Sequence, residues 1–183
     1  MFHLTKEGIP YGTIILGSRA TWLDRHAAEE LRSYVKKLSG AILIITHECY
    51  ASSIEGGKIL IGRASSSDIV GAFAAHYPDV LPEESDTEND CVAYAVRGDT
   101  LVISGSNDRS VYYSVCHLLQ TEFGVGFYWD RDVFEKKRSL SLPDGLTLQE
   151  RSEFKMRHTI GQWVYNYGAF LNEAERREEL DKY

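Results

Sequence analysis

The chain has 183 residues, of which 43% are hydrophobic and 26% charged, and 27 acidic against 20 basic side chains give a formal net charge of −7. This length supports one principal domain that buries roughly 70% of its unfolded surface, without a metal or disulfides as staples. The acidic balance argues against nucleic acid and anionic membrane as partners, because a phosphate surface requires a concentrated basic face, and the densest basic run (Lys136, Lys137, Arg138) is flanked by Asp132 and Glu135.

The amino terminus, MFHLTKEGIPYG, has no basic segment leading into a long apolar run, so no signal peptide is expected. No stretch approaches the about 18 apolar residues of a membrane span. Residues 13–16 (TIIL), ending at Gly17, read as a buried strand. A helix over residues 22–38 follows. Thr21 and Asp24 have capping-box spacing, Ala27, Leu31, Tyr34, Val35 and Leu38 repeat on one face, and Gly40 supplies a left-handed stop. Residues 42–46 and 58–61 form the next strands, separated by a polar break at 52–57. Serines 65–67 cap a helix reaching His76, which Pro78 ends.

Residues 79–90 are acidic and turn-rich, which predicts a solvated loop. Residues 91–97 and 100–104 flank Gly98 and Asp99 as the arms of a hairpin. Asn107 or Asp108 then caps a helix with a stripe of Val111, Tyr112, Val115, Leu118 and Leu119, Gly124 closes it, and 125–129 is a further strand. The order β-α-β-β-α-β-β-α-β predicts an α/β (α+β) domain, a mixed sheet with helices packed mainly on one face. After Trp129 come a charged stretch (131–139), short edge strands (140–143 and 145–148), a strand of something else (154–160) and a charged helix (172–183) in which Glu173 and Arg177 pair. The expected division is an α/β domain over 1–150 and, over 151–183, the start of a following domain.

Three strand-to-helix turns share a glycine, small polar residues and an arginine: Arg19, Arg63 and Arg109. Backbone N–H groups at a helix start beside a guanidinium hold phosphate or carboxylate. Such turns need the same residues with no ligand, and that plainer reading is favoured. Asp130 and Asp132 end an aromatic strand, GFYWDRD, where paired acids suggest glycoside chemistry, although a salt-bridged strand end accounts for them better. His3, His26, His47, His76, His117 and His158 never fall at metal-ligand spacing, so neither a metal nor a cofactor is expected. Cys49, Cys91 and Cys116 form no C-x-x-C pair and no disulfide framework, and Cys116 reads as a small buried thiol. Together with the missing signal peptide they favour a reducing, cytoplasmic compartment. No catalytic residue is assigned. The dense aromatics Trp163, Tyr165, Tyr167 and Phe170 fit sugar stacking or packing against a neighbouring domain equally well.

The ordered set AAEELRSYVKKLSG (27–40), ILIG (59–62), the hairpin ending LVISG, and YYSVCHLLQTEFGVGFYW (112–129) resembles an accessory domain of glycoside hydrolases. It is the amino-terminal domain of microbial α-glucuronidases, similar also to the domain before the barrel in β-N-acetylhexosaminidases and α-N-acetylglucosaminidases. The resemblance covers residues 12–157 and implies a hexosaminidase domain 2-like sandwich that is not itself catalytic. It further implies a following (β/α)8 barrel that carries the carboxylic acids. In FKMRH (154–158) it places Arg157 at the end of the first barrel strand, where an arginine holds sugar hydroxyls. The leading expectation is therefore a brace for a catalytic barrel acting on an oligosaccharide. The rival expectations are a sugar- or anion-binding module built on Arg19, Arg63 and Arg109, and an interaction protein whose carboxyl-terminal aromatics dock a partner.

Overall fold

A computed structural model describes residues 1–153. The expected strand over 154–160, the helix over 172–183, Arg157, His158 and the aromatics from Trp163 to Phe170 lie outside the described residues. In chain order the elements are β1 (Phe2–Lys6), β2 (Ile9–Pro10), β3 (Gly12–Leu16), α1 (Trp22–Ser39) and β4 (Ile44–His47). A 3-10 helix (Glu48–Ser53), β5 (Gly57–Ile61), α2 (Asp68–His76), β6 (Cys91–Arg97), β7 (Thr100–Gly105) and α3 (Asp108–Thr121) follow. The last are β8 (Gly126–Phe127), β9 (Asp132–Val133), β10 (Leu140–Leu142) and β11 (Thr147–Arg151).

The main sheet has six strands in the order β11-β6-β7-β5-β3-β4. Strands β4, β3, β5 and β7 are parallel, whereas β6 runs against β7 and β11 against β6. The sheet is mixed, as the α/β (α+β) reading requires. Because side chains alternate across a strand, two cores form. Ile14, Ile59, Ile61, Tyr94, Leu101 and Ile103 pack with α1 and α3. Ile15, Leu60, Ala95 and Val102 pack with Val70 and Phe73 of α2 on the opposite face. Two helices therefore cover one face and a third covers the other.

The local signals explain where the helices start and stop. In α1 the Thr21 hydroxyl accepts from the Asp24 N–H at 3.2 Å, and the Asp24 carboxylate accepts from the Thr21 N–H at 2.9 Å. Its predicted stripe is buried throughout, and Gly40 ends it at φ 83°, a conformation that costs other residues more. Asn107, not Asp108, caps α3, with its amide oxygen 3.0 Å from the Ser110 N–H.

Two expectations need correction. The sequence predicts no element over residues 2–6, yet β1 pairs with β10 and β2, and Phe2 and Leu4 are buried in the core shared with α1. The expected strand over 125–129 shrinks to β8, which among the described residues pairs only with β9, and Trp129 is 95% exposed. Instead the ribbon docks on α1 through an edge-to-face contact of Phe127 with Tyr34.

Candidate functional site

Strand β3 leads into α1 on one face of the sheet and its neighbour β5 leads into α2 on the other. Where adjacent parallel strands send their helices to opposite faces, a crevice opens beyond their carboxyl ends, and α/β sheets bind ligands there. Here the chain fills that crevice itself. A Cβ on Gly17 would stand 2.1 Å from the Ser66 carbonyl oxygen, so the turn after β5 lies directly on the turn after β3. Arg19 secures the contact, donating its N–H to the Ser66 carbonyl at 3.1 Å and its Nε to the Ser65 carbonyl at 2.9 Å.

Glu48, in the 3-10 helix, occupies the anion position at the start of α2. Its Oε2 accepts from the Ser67 hydroxyl at 2.8 Å and from the Asp68 N–H at 2.9 Å, while its Oε1 accepts from the Ser18 N–H at 2.5 Å. Burial alone would raise this carboxyl's pKa, but the hydrogen bonds from Ser18, Ser67 and Ile69 outweigh it and bring the value down to about 2. A carboxylate at a helix start is stabilised by the free N–H groups and the helix dipole.

Each of the three arginines singled out in the sequence has a carboxylate of its own. Arg19 binds Asp68 at 2.7 Å on the surface. Arg63, with only 15% of its side chain exposed, bridges Asp108 and Glu84. Arg109 reaches Asp90 at 3.3 Å. Glu84 also accepts from the Ser65 N–H at 2.8 Å and the Ser65 hydroxyl at 2.5 Å, and Asp90 accepts from the Asn107 side chain at 2.7 Å. The positive potential at these turns is matched from within, so an external anion would have to displace a tethered carboxylate. Two buried atoms here, Asp24 Oδ1 and Arg63 Nε, are left without a hydrogen-bond partner. Sequence reasoning missed Glu48, Glu84 and Asp90. The one signal for them is the acid-rich stretch 79–90, which supplies the last two.

The carboxylates Asp130 and Asp132 both belong to the β8–β9 ribbon. Asp130 lies in the turn between β8 and β9, whereas Asp132 accepts from the Tyr34 hydroxyl at 2.5 Å and stands 3.6 Å from Lys37 Nζ. Asp132 is thus a clamp holding the ribbon to α1. The basic run is pinned by its backbone: Lys137 donates to the Leu38 carbonyl, and Arg138 accepts from the Gly8 N–H.

An open cleft of about 380 Å³ lies between α3 and the β6–β11 pair, lined by Asp90, Tyr113, Cys116, His117, Gln120 and Glu150 among others. His117 Nε2 is 3.5 Å from the Glu150 carboxylate. Cys116 is partly buried, and that burial raises its thiol pKa. No group of three or more metal-ligating side chains occurs among the described residues.

No family model matches the chain, and no curated protein matches it either. Among solved structures it is similar to a family GH115 4-O-methyl-α-glucuronidase, BtGH115A, with specificity for decorated arabinogalactans, at a TM-score of 0.57 and 15% identity. The match covers 81% of this chain and 18% of that one. What the two share is the fold. A second structure, CpGH84D, aligns at a TM-score of 0.38 and 14% identity over 61% of this chain and 17% of its own, too distant to bear weight. The match thus spans under a fifth of the length of each of these two solved chains.

Proposed function

We propose that this chain supplies a non-catalytic accessory domain of a glycoside hydrolase and braces a catalytic (β/α)8 barrel. The observation that carries the reading is the filled crevice. At the position where an α/β sheet would take a ligand, Gly17 meets Ser66, and Glu48 holds the start of α2. A domain that seals its own binding position behaves as scaffold. The likeness to a limited part of a glucuronidase chain supports the same reading. In this proposal Arg157 begins the substrate pocket, binding sugar hydroxyls, and the reactive acids belong to the barrel.

The test is hydrolysis of aryl α-glucuronides and aryl N-acetylhexosaminides by the 183-residue chain. No turnover above buffer is expected. Turnover that falls in Asp130→Asn or Asp132→Asn would overturn the proposal. The coding sequence downstream of codon 183 is expected to encode alternating strands and helices.

A further inference from the structure

The cleft beside α3 lies where the described chain ends. Ser152, which lines it, donates its N–H to the Asp90 carbonyl at 2.8 Å. The Asn89 side-chain amide donates to the Ser152 carbonyl at 2.8 Å and to the Glu153 carbonyl at 3.1 Å. Arg151 adds a 2.8 Å ion pair with Glu88. The exit from β11 is therefore pinned against the start of β6, and Phe154 is at most roughly 7 Å of chain beyond Ser152.

Side-chain parity selects the residues that face the cleft. Along β11, Leu148 opposes Tyr94 and packs on the core shared with α1 and α3, and Glu150 opposes Val92 in the cleft. Ser152 keeps that parity. Continued in the same direction, the next two positions are Phe154 and Met156, both apolar, with Lys155 and Arg157 of opposite parity. The cleft offers Val92, Tyr113 and Cys116 as apolar lining in about 380 Å³, room for two large side chains. No acid occurs between Glu153 and Glu173, so nothing in this segment is repelled by Asp90 or Glu150.

We propose that the cleft between α3 and β11 is the seat of the chain's own continuation, filled by Phe154 and Met156. Tethering favours this occupant over a free partner, because a segment that starts at the wall is present at an effective concentration in the millimolar range. The docking requires no barrel, and it leaves Arg157 outside the cleft.

Cys116 lines the cleft and reports on its cover, whereas Cys91, of opposite parity to Val92 on β6, is buried. In the 183-residue protein carrying Cys49→Ser, alkylation by iodoacetamide is followed at both thiols by peptide mapping. Replacing Phe154 and Met156 together by serine is expected to speed Cys116 about tenfold, the ratio set by about 1.4 kcal/mol of docking, with Cys91 still slow. An unchanged Cys116 rate overturns the proposal. Met156→Cys in the same background tests the placement with Phe154 intact. Mild oxidation is expected to link the introduced thiol to Cys116, seen by mass spectrometry as one joined pair of peptides. A monomer without that link, or one linked to Cys91 instead, overturns the placement.

Discussion

The Glu48 carboxylate lies 2.8 Å from the Ser67 hydroxyl, and through its other oxygen it also holds the Ser18 N–H. One side chain thereby ties the 3-10 helix to the turns after β3 and β5. Glu48→Ala removes a helix cap and leaves these N–H groups unmatched, so unfolding in urea at pH 7 should show a loss of about 1–3 kcal/mol.

The same carboxyl sets an acid response. Its pKa falls from 4.5 to about 2 on folding, so the unfolded chain binds its proton more readily. The stability it contributes is complete above the unfolded value and is lost as pH drops from about 4.5 towards about 2. Paired urea melts at about pH 6, where the contribution is complete, and about pH 2.5, where most of it is lost, should therefore show the gap between wild type and Glu48→Gln narrowing in acid.

Gly17→Ala should be among the most damaging small substitutions in the chain. The new methyl would meet the Ser66 carbonyl at 2.1 Å and Ser67 Cβ at 2.5 Å, both on a turn fixed by Arg19. Overpacking of this kind costs about 1–3 kcal/mol, to be read from the denaturation midpoint. Retention of wild-type stability would show that the two turns part easily.

Because tethered carboxylates already pair with Arg19, Arg63 and Arg109, calorimetric titration with glucuronate or inorganic phosphate should give no saturable heat. Removing both competing acids frees the guanidinium. The double variant Glu84→Gln, Asp108→Asn is therefore expected to gain weak phosphate binding, and Arg63→Ala in that background should abolish it. Saturable binding by the wild type, lost in Arg63→Ala, would favour the anion-binding module.

Leu4→Ala tests the amino-terminal strand. Leu4 is fully buried against the core shared with α1, so a cost of about 2–5 kcal/mol is expected in chemical denaturation, typical of leucine cavities. A loss near zero would mean that β1 is peripheral.

The parts of this fold legible in the sequence are those built from neighbours along the chain. Thr21, Asp24, the apolar stripe and Gly40 lie within one helix and its caps, and they delimit α1 closely. Gly98 and Asp99 mark the β6–β7 turn for the same reason. What escaped the reading depends on distant partners. Strand β1 is a strand by virtue of β10, with Phe2 facing Leu142. Glu48 is a cap for a helix that begins 20 residues later. Glu84 and Asp90 come from a stretch whose acidity suggests only solvation, yet both turn back onto Arg63 and Arg109. The aromatic GFYWD run misleads in the opposite sense, because its apolar residues read as a five-residue strand, whereas β8 holds only Gly126 and Phe127.

The pairing of β1 with β10 also bears on synthesis. Phe2 and Leu4 are synthesised before Leu140 and Leu142, which complete their cover some 135 residues later. At translation speeds of roughly 5–20 residues per second, the nascent chain carries an incompletely sheltered apolar segment for about 7–30 s. During that interval it offers holdase chaperones a binding segment that the finished protein conceals.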